Sequence, residues 1–143
     1  KEAFKRNRLF YHRNAIFAED YKLWVDSVVC GLNLANIGIP LLKYRCHDNQ
    51  VSSTKRNLQN YTSCQIVVGY AKKMFGFELI DDPLLFLNLI HIERKPVFGT
   101  KYQAPLIELA ERLMEKNEKY SFFDPIKFNR MMNSKVDKIR QLK

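Results

Sequence analysis

The sequence predicts a mainly α protein with a small β element, an α+β chain. Three observations lead there. Apolar residues recur at helical spacing in several segments after Ser53. Two Asp-Pro pairs, Asp82-Pro83 and Asp124-Pro125, have the form of helix starts, an acidic cap followed by proline at the first helical position. Between Gly31 and His47 the pattern turns to short β-type runs interrupted by Pro40, which has no N–H to give to a ladder.

In chain order, Lys1–Arg13 reads as a short helix and an extended segment, with Phe4 and Leu9 as core candidates among solvated cations. Glu19 and Asp20 open a second helix, where first-turn carboxylates favour the dipole. Its apolar residues Leu23, Trp24, Val28 and Val29 share one face, which predicts burial, and Gly31 ends it. Leu34–Ile37 and Leu41–Cys46 are the β-type runs. On the second, Lys43, Arg45 and His47 alternate with Leu42, Tyr44 and Cys46, so Arg45 and His47 share a face. A guanidinium there suits a carboxylate or a diphosphate.

After Ser53 four helices are expected. Thr54 caps Lys55–Phe75, whose Leu58, Tyr61, Val68, Ala71 and Phe75 form a stripe ended by Gly76. Leu84–Ile92 is apolar nearly all round and is placed at the centre of the core. Ala104–Lys116 repeats Leu106, Leu109, Ala110 and Leu113, and the last helix repeats Phe128, Met132, Val136, Ile139 and Leu142. Lys135, Lys138 and Arg140 fall off that stripe, and the basic amphipathic tail suits packing on the preceding helices or peripheral contact with an anionic membrane.

Composition narrows the class. At 143 residues, 46% hydrophobic and 27% charged, the chain is long enough to bury a core and is not disordered. No apolar run reaches membrane-spanning length, the first residues are no signal peptide, and the absence of an initial Met suggests a piece of a longer protein. Cys30, Cys46 and Cys64 are odd in number and widely spaced, which predicts free thiols in a reducing cytoplasm. Cys46 and His47 are strand neighbours that point apart, so they do not make a dyad. A net charge of +9 leans towards anionic partners.

Ala18-Glu19-Asp20-Tyr21, then Leu23-Trp24, then Leu41-Leu42-Lys43-Tyr44-Arg45-Cys46-His47 resemble the C-terminal half of the catalytic domain of family-2 glycosyltransferases. These are inverting, sugar-nucleotide-dependent enzymes of the GT-A fold. The resemblance covers roughly the first third of the chain and rests on the order of several short motifs. It implies a C-terminal remnant of a GT-A α/β domain on the acceptor side (1–53) followed by a helical extension (54–143). The implied activity is hexosyl-type transfer from a nucleotide-sugar donor to an acceptor hydroxyl on a glycan, a cell-surface polysaccharide or a lipid-linked carrier; the expected location is the cytoplasm, with the inner face of the membrane as the alternative. It also implies the roles: Asp20 as general base, Glu19 on acceptor hydroxyls or orienting Asp20, Arg45 at the donor diphosphate, and His47 as a ligand of a divalent metal. Imidazole suits Mn²⁺ better than Mg²⁺. Tyr21 and Trp24 could line a sugar platform, with Trp24 expected in the core instead.

No Asp-x-Asp and no glycine-rich strand–loop–helix start occurs in the chain, so the donor half is expected to lie outside it and the chain alone is expected to be inactive. A remnant with an exposed face invites dimerisation. The alternative is a basic helical module that binds RNA or a partner protein. It lacks any nucleic-acid motif, its basic residues are scattered, and nucleic acid is not an expected partner. The glycosyltransferase reading needs Asp20 and His47 to line one crevice.

Overall fold

A computed structural model describes residues 1–43, 50, 54–93 and 100–142 of the chain. The helices are α1 (Glu2–Arg6), α2 (Glu19–Val29), α3 (Arg56–Phe75), α4 (Pro83–Ile90), α5 (Gln103–Tyr120) and α6 (Pro125–Arg140), with a 3₁₀ turn at Thr100–Tyr102. Two compact units divide the chain, Lys1–Val67 and Val68–Lys143. Among the described residues no helix is long and apolar enough to cross a membrane.

In the unit Lys1–Val67, α2 ends as its glycine predicts. Gly31 takes φ +75, and its N–H donates to the Val28 carbonyl while that of Leu32 donates to Ser27. That pair of bonds satisfies carbonyls left open by the last turn, and a left-handed residue with no Cβ makes it possible. The expected buried face of α2 is not buried. Trp24 is 51% exposed, Val28 and Val29 are also exposed, and Ser27 is the residue of this helix that is enclosed. A helical period tells which side chains share a face, not what covers that face.

The small β element is not seen either. Among the described residues there is no strand, and Leu34–Ile37 and Leu41–Lys43 run as irregular backbone; Tyr44–Cys46 lie outside the described residues. A strand requires a neighbouring ladder for its N–H and C=O groups. These runs instead hold their apolar side chains in the open, up to 83% exposure at Leu42. Thr54, expected to cap α3, donates its hydroxyl to the Gln50 carbonyl at 3.2 Å.

The unit Val68–Lys143 contains the hydrophobic core. Asp82 caps α4 by accepting from the N–H groups of Leu84 and Leu85, both at 2.9 Å, with Pro83 at the first position. Asp124 caps α6 through the Lys127 N–H at 2.9 Å, followed by Pro125. Both starts were expected from the Asp-Pro pairs. The stripes of α5 and α6 are buried as their periods predict, Leu106, Leu109, Ala110 and Leu113 against Phe128, Met132, Val136 and Ile139, with Leu142 packed at the edge. The face of α6 available to a membrane is therefore not its apolar one. Phe86, Leu89 and Ile92 close the core from α4 and the turn after it. Phe123 stacks on Phe128 at 5.5 Å between centroids, and Phe122 meets Phe75 edge-on.

Polar contacts from Asn117, Gln103 and Lys135 also hold this unit, and none of these shows in the periodicity. Asn117, fully buried, accepts from the Phe123 N–H at 2.9 Å and donates to its carbonyl at 3.2 Å, gripping the turn where Ser121 is left-handed. Gln103 donates to the carbonyls of Ile139 and Leu142 at the end of α6. Lys135, which the pattern puts in solvent, is only 7% exposed and donates to the Ile90 carbonyl at 2.9 Å and to Glu93 at 3.2 Å. A cation at the C-terminus of α4 offsets the helix dipole while its stem lies along apolar surface.

Asn117→Ala removes both bonds to Phe123 and leaves the half-buried Phe123 N–H unpaired, so urea denaturation should show a loss of about 1–3 kcal/mol. Glu93 titrates below its usual range because its own backbone N–H bonds the carboxylate, burial working against this and Lys135 adding to it. A lowered carboxyl pKa contributes stability above the unfolded value, lost as pH falls through the folded one. Glu93→Gln should therefore narrow the acid-induced fall in stability below about pH 4.5, seen as a smaller Tm difference between neutral and acidic buffer.

Candidate functional site

The candidate site is the start of α2 and the turns that lead into it. The chain arrives through two successive turns, Ala15 N–H donating to the His12 carbonyl and Ala18 N–H to that of Ala15. Ala15 and Ala18 are buried, small enough for the turns to press close. Between them Phe17 takes φ +66, a left-handed conformation that costs a residue with a Cβ about 1–2 kcal/mol. Both of its backbone polar groups are held. Its N–H donates to Glu19 Oε1 at 3.1 Å, and its carbonyl accepts from Gln59 Nε2, on α3, at 2.8 Å.

Ala18 is the N-cap of α2 and has no side chain that can cap. The two carboxylates serve backbone donors instead. Glu19 reaches back to Phe17, and Asp20 Oδ1 accepts from the Tyr21 N–H at 2.7 Å. A first-turn N–H, which has no partner within the helix, is satisfied in this way. Asp20 itself is exposed, and its Oδ2 has no hydrogen-bond partner among the described residues, whereas Glu19 is half-buried. Beside them, burial raises the Tyr21 phenol above its usual range, and the nearby Cys64 thiol raises it further.

Trp24 lies one turn further along α2. Its indole borders a cleft of about 370 Å³ with Leu34, Ala35 and Asn36. An exposed aromatic face beside a side-chain amide can stack on an apolar ring face and hydrogen-bond its hydroxyls.

A second group, not foreseen from the sequence, ties the N-terminal segment to the same helix. Lys22 pairs with Asp26, and His12 Nε2 lies 3.4 Å from Asp26 Oδ2. The ring of Phe10 leans on His12 with centroids 4.6 Å apart. The Lys22–Asp26 spacing of four is a readable helix pair. Nothing local to His12 signals that it joins them.

Of the four site residues expected from sequence, Glu19 and Asp20 are thus adjacent on one helix turn. Arg45 and His47 lie outside the described residues. Among the described residues no group of three or more His, Cys, Asp or Glu side chains comes together to hold a metal ion. Cys30 and Cys64 are free thiols. Gln59 and Phe17 are parts of this site that sequence reading missed: Gln59 is separated from its partner by 42 residues, and Phe17 is not the glycine that a left-handed position ordinarily signals.

The chain is similar to an uncharacterized glycosyltransferase of Haemophilus influenzae (strain ATCC 51907 / DSM 11121 / KW20 / Rd), with 30% identity over 95 residues, 64% of this chain and 29% of that protein. It therefore spans less than a third of that relative's length. No family model matches the chain. No solved structure matches it.

Proposed function

We propose that this chain is the acceptor-side part of an inverting glycosyltransferase, of the family-2 type with a GT-A fold, and that Asp20 is its general base. The observation that carries the reading is the exposed Asp20 carboxylate, one oxygen anchored to the Tyr21 N–H and the other without a partner among the described residues, in a chain similar to a protein that bears the name glycosyltransferase. In the proposed reaction that second oxygen takes the proton of an acceptor hydroxyl. The hydroxyl oxygen bonds to the anomeric carbon of the donor sugar as the bond to the nucleoside diphosphate breaks on the opposite face, and the electron pair leaves with the diphosphate. A single carboxylate on the attacking side is enough for inversion.

On this reading the other residues divide the remaining work. Trp24 and Asn36 border the cleft where an acceptor sugar could stack and hydrogen-bond. The Arg45 guanidinium would face the donor diphosphate, and the His47 imidazole would be a ligand to a divalent ion, which supplies neutralisation of the leaving group's charge. The nucleotide-binding part would be supplied by chain beyond these residues. The apolar side chains left open at Val28, Val29, Leu41 and Leu42 are of the kind that such a part would cover.

Two substitutions in the whole natural protein test this. Asp20→Asn keeps size and the bond to Tyr21 but cannot take a proton. Transfer from UDP-sugars with Mn²⁺ should fall about 10²–10⁴-fold with the melting temperature nearly unchanged, and near-normal transfer would remove Asp20 from the role of base. Trp24→Ala should raise the acceptor KM about tenfold and leave the donor KM alone, as loss of a stacking platform worth about 0.5–1.5 kcal/mol requires.

A further inference from the structure

We infer that Gln59 is a positioning residue for the Asp20 carboxylate, acting through the left-handed turn at Phe17. The inference rests on the reading of Asp20 as base and adds to it a residue on a different helix.

Phe17 is held in a conformation that a phenylalanine leaves unless its surroundings fix it. Two bonds fix it from opposite sides, the Glu19 carboxylate on its N–H and the Gln59 amide on its carbonyl. The next residue, Ala18, is the N-cap of α2, buried on its side-chain face, and its carbonyl accepts from the Lys22 N–H at 2.9 Å to begin the helix. Asp20 follows two residues later. The peptide between Phe17 and Ala18 therefore sets where the first turn begins, and Gln59 holds that peptide by its oxygen. Releasing it lets the peptide rotate towards an unstrained conformation and swings the Asp20 carboxylate with the first turn. A base must lie about 2.6–3.2 Å from the proton it removes, and a displacement of about 1 Å can cost about 100-fold.

Gln59 has the chemistry for this position. Its side-chain amide is an uncharged donor, and it is long enough to reach from α3 to a carbonyl that lies before the first turn of α2. A glutamate side chain has the same length and, when ionised, no donor, so Gln59→Glu removes the bond while keeping the size. Glycine at position 17 would adopt the turn with no need of a clamp.

The test uses the whole natural protein and the variants Gln59→Leu, Gln59→Glu and Gln59→Leu with Phe17→Gly. The probes are UDP-glucose, UDP-galactose and UDP-N-acetylglucosamine with Mn²⁺, read by release of UDP, together with the ¹³C carboxyl resonance of Asp20, assigned by its loss in Asp20→Asn. Both single variants should lower kcat about 10- to 100-fold with KM for donor little changed. Both should displace the Asp20 resonance, and Phe17→Gly should restore much of the loss in the Gln59→Leu background. An Asp20 resonance unmoved in Gln59→Leu and Gln59→Glu overturns the inference, whether or not any of the three donors turns over. An equal loss without rescue by glycine, accompanied by a matching fall in melting temperature, also overturns it, since Gln59 would then act on folding alone. Failure of the base reading looks different: Asp20→Asn would stay active while Gln59→Leu still moved the resonance.

Discussion

The grip on the Phe17 backbone is the constraint on which the first unit turns. Among the described apolar residues of Lys1–Val67, Ala15 and Ala18 are the buried ones, so little apolar area is removed from water there. Where burial is small, directed bonds decide the backbone path. A glutamine on α3 and a glutamate on α2 hold opposite ends of one residue, and α2 starts from it. The second unit works the other way. Sixteen side chains from Val68 to Ile139 form one cluster, and its polar contacts, Asn117 and Gln103 among them, tidy ends and turns of helices already fixed by packing.

This contrast also describes what was legible beforehand. The Asp-Pro starts at Asp82 and Asp124 could be read because cap chemistry is local, three residues deep. The stripe Phe128, Met132, Val136, Ile139 could be read because a helix in a bundle has one apolar face and one place to put it. The same logic applied to Leu23, Trp24, Val28 and Val29 gave the helix and its glycine stop but not its burial, since no described element covers that face. The described residues of the β-type runs, Leu34–Ile37 and Leu41–Lys43, have β-favouring character without a ladder partner among the described residues, and propensity alone does not make a ladder.

At the candidate site the legible part was the carboxylate pair, and what stayed hidden was its support. Gln59 lies 42 residues from the carbonyl it holds, and no period or spacing joins them. Phe17 carries no conformational signal of its own, because a left-handed phenylalanine is recognised only from its angles. His12 reaches Asp26 through a turn whose course the sequence does not declare. Support of this kind is spread over segments that are distant in the chain, and it is visible only when they are brought together.

Lys135 gives the second unit something unusual among the chain's many amines. Its Nζ is enclosed by the Ile90 carbonyl and Glu93, while most other described lysines stand in water. Amine-directed labelling should therefore modify it last, at a rate set by opening of the α4–α6 contact rather than by the reagent. Mass spectrometry of a timed acetylation course would follow that opening at one atom, with no engineered probe.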